Sequence, residues 1–408
     1  MLNRKLRQRL VLVIANSANT LLVPVVNIAV SLLVIRLASA ELWGAFVSIL
    51  IWINLANHII HWGSKEYLLR EFSRRPGSIG EAWQSNLLSR AGLYALFVLA
   101  VLLFPIPPLH KLLVILWGGG AMLFQSCESL VLYRRKFSAA LLLEMSTILL
   151  MVGIILLRQD DLSIELLMLL FASAYLLKFA GLAYLFRRDI FAGLAGTFQP
   201  AFFRIALPFF LLGFTGMLQS RTDLYCVAYF LDHEKVGQYQ VFINMLIYIQ
   251  VFASMILQPF LKNIYRLGSG VLKRISLRLF GLGAAITLPA LGGIYLLLNQ
   301  VYGFPVGAAF LFWGGLFVLP IYYYLPQIYL LYKLDLQSKV LYINLLGIMA
   351  NLLLNVCLIP GFGLLGAIAA SALSQWLMLL AYRYVERRWL GGRRMDLDHL
   401  PVSSRNRH

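Results

Sequence analysis

Charge is what this chain has least of. Only 13% of its 408 residues are charged, about half the share of an ordinary soluble domain, and 17 acidic residues face 35 basic ones. Its three cysteines, Cys127, Cys226 and Cys357, each sit in an apolar run and are too few and too scattered for a disulfide framework or a zinc site. G-x-S-x-G, a Walker A loop, H-E-x-x-H and any Cys/His metal spacing are all missing. These gaps argue against catalysis by a common nucleophile, against energy drawn from ATP held by this chain, and against a bound metal. No cofactor is expected.

What fills the chain is apolar: 61% of residues are hydrophobic and the mean hydropathy is +0.79. A net charge of +18 would in a soluble protein point to nucleic acid. Here the basic residues fall between apolar segments, as membrane topology demands, so no nucleic-acid partner is expected. A helix needs about 20 apolar residues to cross the hydrocarbon core. Twelve runs qualify: 11–35, 43–63, 87–106, 111–133, 138–157, 163–185, 204–229, 237–260, 279–299, 306–332, 340–359 and 363–384. They are too long and continuous for barrel strands, and the expected fold is an all-α polytopic membrane protein.

Lys and Arg set the expected orientation. With the N-terminus inside, 29 of the 35 fall in stretches on the cytoplasmic side, Arg90 counted among them, and four (Arg36, Lys111, Arg158, Lys235) on the other. Such a bias places both termini in the cytoplasm. The start, MLNRKLRQRL, resembles a signal-peptide n-region, but no small-residue cleavage site follows at the right distance, and it is expected to remain as a cytoplasmic tail.

A repeat organises the chain. Glu41-Leu-Trp-Gly44-Ala-Phe46 and Glu234-Lys-Val-Gly237-Gln-Tyr239 both read E-x-x-G-x-aromatic, 193 residues apart, each between two apolar segments. Two similar halves are implied: 1–186 as one six-helix bundle, 187–203 as a cytoplasmic connection, 204–386 as a second six-helix bundle, and 387–408 as a basic cytoplasmic tail. An even number of helices per half makes both enter from the same side, so the halves should be parallel repeats about a pseudo-two-fold along the membrane normal.

Polar residues within the apolar runs are the candidate site, because a charge near the bilayer centre costs roughly 2.5–3.5 kcal/mol on insertion scales and needs a partner or a wet cavity. Asn54, Asn57, His58, His61 and Lys65 line one face of the second span, and Asn16, Asn19 and Asn27 share a face of the first. The matching spans of the second half carry Gln219, Arg221 and Asp223, then Gln240 and Asn244. Arg221 and Asp223 stand about 200° apart on a helix, so each needs its own partner. Glu128, Glu144 and Lys178 are further intramembrane charges. The bland alternatives stand beside these: interhelical hydrogen bonds for the amides, packing or a proton relay for the two imidazoles, and Glu–Lys or Glu–Arg structural pairs for the charges. Tyr322, Tyr323 and Tyr324 between Pro320 and Pro326 point all round their helix, favouring packing over stacking on sugars.

Three stretches in order carry a resemblance: VIRLASAELWGAF with HWGSKEYLLREFSR; Leu207-Pro208, Asp223 and Val236-Gly237-Gln-Tyr239; and NLLLNVCLIPGFGLLGAIAAS from Asn351 through Pro360, Gly363 and Gly366 to Ser371. Over nearly its whole length the chain resembles the polysaccharide (O-antigen) flippases of the multidrug/oligosaccharidyl-lipid/polysaccharide exporter superfamily. The resemblance implies two six-helix bundles in a V, in a bacterial inner membrane. They would move a polyprenyl-diphosphate-linked oligosaccharide to the outer leaflet for polysaccharide or lipopolysaccharide biosynthesis, by alternating access coupled to H+ or Na+, with membrane lipid as the other partner. It implies a transporter and not an enzyme. It puts Asp223 at a family-matching position, and Arg221 follows by proximity. Substrate binding is expected at Arg221, Lys178, Asn54, Asn57, His58, Gln219 and Asn244, and ion coupling at Asp223, Glu128 and His61. The clear cations are few (Arg221, Lys178, Lys65), which is where the chain departs from a strongly cationic cavity. A drug or metabolite antiporter of the same superfamily would share this architecture. A membrane polymerase or glycosyltransferase would need a large outer loop or a clustered acidic motif, and neither is present.

Overall fold

The computed structural model describes residues 26–191, 196–257 and 267–393. Among these residues there is no strand, and ten helices are long and apolar enough to cross a membrane. The protein is a multi-pass membrane protein. Of the first expected span only α1, Val26–Leu37, is described; Asn16, Asn19, residues 258–266 and the tail beyond Arg393 lie outside the described residues.

The helices are α2 Ala40–His61, α3 Ser64–Arg74, α4 Ile79–Leu103, α5 Pro108–Arg134, α6 Phe137–Leu157, α7 Ile164–Leu185, the short α8 Arg187–Ile190, α9 Ala201–Phe230, α10 His233–Leu257, α11 Ser269–Leu296, α12 Ala308–Lys333 and α13 Gln337–Arg393. Their starts follow local chemistry. Ser39 and Ser163 accept the amide protons of Leu42 and Leu166, capping α2 and α7, and Pro108 opens α5, where a missing N–H costs nothing. Their ends follow from residues forced into left-handed backbone: Trp62 (φ 46°) and Gly63 (φ 65°) after α2, Arg135 (φ 55°) after α5, Asp335 (φ 57°) after α12.

The chain divides into two compact units. One holds the residues up to Met217 and Leu231–Val241; the other holds Leu218–Phe230 and the residues from Phe242 onward. The division thus passes through both α9 and α10.

In the first unit α5 is central, with 61% of its apolar window buried against 17% for α6. It packs on α7, α3, α2 and α4. One end of this bundle is closed by an aromatic and aliphatic core of Tyr67, Leu68, Phe72, Trp83, Leu130 and Phe202. The expected span 87–106 begins earlier, at Ile79, because its polar first turns are used. Gln84 Oε1, Ser85 Oγ and Ser89 Oγ accept the backbone N–H groups of Gly196, Thr197 and Gln199, which hydropathy cannot foresee. Arg90 lies within this helix and is fully buried.

The repeated corner meets itself within this unit. A Cβ added to Gly44 would strike the carbonyl oxygen of His233 and lie 2.9 Å from Gly237 N; one added to Gly237 would lie 2.6 Å from the carbonyl oxygen of Ala40 and 3.1 Å from Gly44 N. Ala40 and His233 occupy the same place in the two motifs, so the contact is reciprocal. Glycine is required at both because backbone presses on backbone. Trp43 Nε1–H donates to Gln240 Oε1 at 3.1 Å across the same seam, and Phe46 and Tyr239, the aromatic ends of the two motifs, are both fully buried.

In the second unit α12 packs on α11 and α13. α13 is a hairpin. Gly363 takes φ 55°, ψ −133°, three residues after Pro360, and the arms on either side run antiparallel. Asn344 meets Tyr382, Gly347 meets Met378, Asn351 meets Ser371 and Leu358 meets Gly366. One of the ten candidate spans is thus two. Tyr322, Tyr323 and Tyr324 are all buried; Tyr322 donates to the carbonyl of Ile249 and Tyr324 to Gln375, which answers their role as packing. Only glycine occupies Gly363's backbone region without strain, so Gly363→Ala should destabilise the protein by about 1–3 kcal/mol. A thermal melt in detergent would show this as a lowered unfolding temperature, with Gly361→Ala, whose Cβ meets nothing within 4 Å, as the neutral control.

Candidate functional site

The expected polar residues fall into two sets, one in each unit. In the second unit they sit on three elements brought together by packing alone. α9 supplies Gln219, Arg221 and Asp223, α10 supplies Asn244, and the two arms of α13 supply Asn351, Asn355, Ser371 and Gln375. The half-buried Arg221 donates from Nη1 to Asn244 Oδ1 at 2.7 Å. Among the described residues no carboxylate lies within 4.0 Å of it, so its charge is met by a neutral amide. Asp223, two residues on, is turned elsewhere and is 2% exposed. Its Oδ2 accepts the Ser371 hydroxyl at 2.8 Å. The two charges take separate partners, as their spacing required.

Behind Ser371 the polar groups continue in one direction. Asn351 Nδ2 donates to Ser371 Oγ at 3.4 Å, and Asn355 Nδ2 donates to Asn351 Oδ1 and to the Asn351 carbonyl. Every donor in this chain points toward Asp223. Asn355 Oδ1, fully buried, has no hydrogen-bond partner among the described residues. The result is a buried cluster of oxygens (one carboxylate, one hydroxyl, two amides), the ligand type that suits a proton or a small hard cation. Gln219 lies beside it, donating to Met378 Sδ at 2.9 Å.

In the first unit the expected residues are less coherent. Asn54 and Asn27 face outward. Asn57 is 5% exposed and its Oδ1 has no hydrogen-bond partner among the described residues. His58 is half-buried between Phe210 and Phe214, whose ring centroids lie 6.4 and 6.1 Å away, with its Nε2 over Gly213. His61 Nδ1 is buried and has no partner there either. Glu128 forms an ion pair with Lys65 at 3.3 Å, both about a third exposed. Lys178 is 9% exposed, pairs with Glu144 at 3.2 Å and stacks over Phe124 and Tyr175. Both pairs have the form of structural intramembrane ion pairs, the bland alternative for these charges.

Some members were missed. Asn351, Asn355 and Ser371 lie in the stretch whose proline and glycines carry the resemblance, and an Asn pair four residues apart in an apolar helix is itself a signal of one polar face. Their meeting with Asp223, 148 positions away for Ser371, was not readable. No group of three His, Cys, Asp or Glu that could hold a metal ion occurs among the described residues.

No family model matches the chain, and no curated protein matches its sequence. Its fold is similar to that of a lipid II flippase, MurJ, solved in an inward closed conformation. The TM-score is 0.71 over 90% of this chain and 86% of that one, at 14% identity. At that identity the likeness is one of fold.

Proposed function

We propose that the chain is a flippase for a lipid-linked oligosaccharide, moving a polyprenyl-diphosphate-linked glycan from the cytoplasmic to the outer leaflet of a bacterial inner membrane. Twelve transmembrane helices in two six-helix halves, 1–186 and 204–386, with both termini cytoplasmic, complete this reading. The observation that carries it is Arg221. It is a cation within a membrane-spanning helix, held by an amide and not neutralised by a carboxylate among the described residues, in a fold similar to that of a lipid II flippase. A diphosphate cannot cross hydrocarbon unaided, and a guanidinium held by an amide and not by a carboxylate is the group to receive it.

In this reading Arg221 contacts the diphosphate while Asn244 holds the guanidinium in place. Gln219, Asn54, Asn57 and His58 offer hydrogen bonds to the sugars or the headgroup. Lys178, already held by Glu144 and two aromatic rings, has the weakest claim. Asp223 takes the coupling ion, H+ or Na+, with Ser371 and the two asparagines as neutral ligands or as the proton's hydrogen-bonded surroundings. His61 and Glu128 are secondary candidates for the same coupling. The glycan serves polysaccharide or O-antigen assembly, the pathway the resemblance implies.

The test is Arg221→Ala. It should abolish surface polysaccharide in cells that depend on this gene while leaving the protein folded in the membrane at wild-type level. Charge-assisted hydrogen bonds to a phosphate are worth about 1.5–3 kcal/mol each, so Arg221→Lys should retain part of the activity. Wild-type export by the alanine variant would remove Arg221 from the substrate path.

A further inference from the structure

Arg90 is used by none of the above, and its surroundings are those of a binding site. α3 begins directly after the left-handed pair Trp62 and Gly63, and no side chain caps it. The amides of its first turn, at Ser64, Lys65 and Glu66, have no acceptor within the helix, and the positive end of the helix dipole lies there. Against this end stands Asn86, 2% exposed. Its Oδ1 accepts both the Ser64 hydroxyl and, at 3.0 Å, Arg90 Nε–H. Since guanidinium only donates, the orientation of the Asn86 amide is settled, and Nδ2 faces away from Oδ1 as a spare donor.

The guanidinium is thus anchored by one nitrogen within two hydrogen bonds of the α3 N-terminus. Its other two nitrogens are left over. Arg90 is 0% exposed, and Nη1, Nη2 and Asn86 Nδ2 are buried with no hydrogen-bond partner among the described residues. His61, with its unpartnered Nδ1, lies within electrostatic reach of Arg90 and Lys65. Glu128 is engaged by Lys65, and no carboxylate among the described residues forms an ion pair with Arg90. Ser85 and Ser89, by contrast, are already occupied by backbone amides.

A buried guanidinium with no counter-charge is costly. A fork of N–H donors beside an uncapped helix start is complementary to a tetrahedral oxyanion. We propose that Arg90, Asn86 and the first turn of α3 bind a phosphate group, with Lys65 at the exposed edge of the site. The phosphate belongs either to a phospholipid headgroup or to free inorganic phosphate; the chemistry that recognises it is the same. The site lies wholly within the first unit and does not depend on the transport reading.

The test uses the full chain purified in a neutral detergent. Inorganic phosphate should raise its unfolding temperature in a saturable way, and acetate at equal ionic strength should not. Arg90→Gln should raise the half-saturating phosphate concentration by at least about tenfold, the loss expected when a charge-assisted hydrogen bond is removed. Arg90→Lys should fall between, since it keeps the charge and loses the fork. In parallel, chain reconstituted in phosphatidylglycerol or in a phosphate-free galactolipid and re-extracted is weighed by native mass spectrometry. Phosphatidylglycerol retained by wild type and lost in Arg90→Gln assigns the lipid headgroup; a phosphate response without lipid retention assigns the free ion. Wild type that neither responds to phosphate nor retains phosphatidylglycerol overturns the proposal, whatever the variants do. So does an Arg90→Gln protein with the wild-type phosphate response. Should Arg90→Gln fail to fold, the wild-type and Arg90→Lys measurements decide alone.

Discussion

Replacing Gly44 by leucine is expected to abolish the proposed transport, and replacing Gly237 by leucine to do the same, although neither residue carries chemistry. The cause is steric. The first carbon of any side chain at Gly44 enters the carbonyl of His233, and at Gly237 it comes to 2.6 Å from the carbonyl of Ala40. Neither obstacle is a side chain that could swing aside. Overpacking of this kind costs about 1–3 kcal/mol even where side chains yield, and a cost near 3 kcal/mol changes an equilibrium roughly 100-fold. Gly216→Leu in α9, whose Cβ meets nothing within 4 Å, is the control that should transport normally. The reciprocity adds a sharper expectation. The milder pair, Gly44→Ala and Gly237→Ala, should be markedly non-additive, because once one alanine has pushed the seam open the second finds room. Equal and additive losses in the double variant, measured as unfolding free energy and as transport rate, would show that the two glycines act separately.

The second large effect is expected at Asp223. If the coupling ion binds there, Asp223→Asn should remove the response of reconstituted transport to a pH or sodium gradient, and net transport driven by that gradient should fall at least tenfold, an effect of about 1.4 kcal/mol or more. Ser371→Ala removes one neutral ligand and should weaken the ion dependence by a factor of about 2–12, the range of an ordinary hydrogen bond. Asn355→Leu should reach further than Ser371→Ala, since Asn355 also orients Asn351. Transport of the wild-type protein that ignores both gradients would end the coupling role of Asp223, and with it those of His61 and Glu128.

How far the sequence could be read depends on which physical signal each part leaves. Spans such as 138–157 and 163–185 match Phe137–Leu157 and Ile164–Leu185 within a residue, because an apolar run ends where polar caps begin. α4 begins earlier than its apolar run because Gln84 and Ser85 look like a loop to a hydropathy window and are instead engaged by backbone donors more than a hundred positions on. The break at Trp62 and Gly63 has one readable residue, the glycine; nothing about tryptophan announces a left-handed backbone. Arg221 and Asp223 were legible as charges in oil and as a pair that could not pair. Asn244 was on the right helix. Ser371 and Asn351 required the hairpin at Gly363, and a fold is needed to make neighbours of its two arms.

The seam at Gly44 and Gly237 also bears on how such a chain could arise. Each motif presents the same atoms to the other: the carbonyl before the glutamate, the glycine, the amide of the glycine opposite. A surface that fits its own likeness is what a two-fold homodimer requires. Were the two halves copies of one ancestral half, paired through this corner before being joined end to end, they would be free to diverge at Trp43 against Val236 and at Phe46 against Tyr239, but not at the glycines that touch.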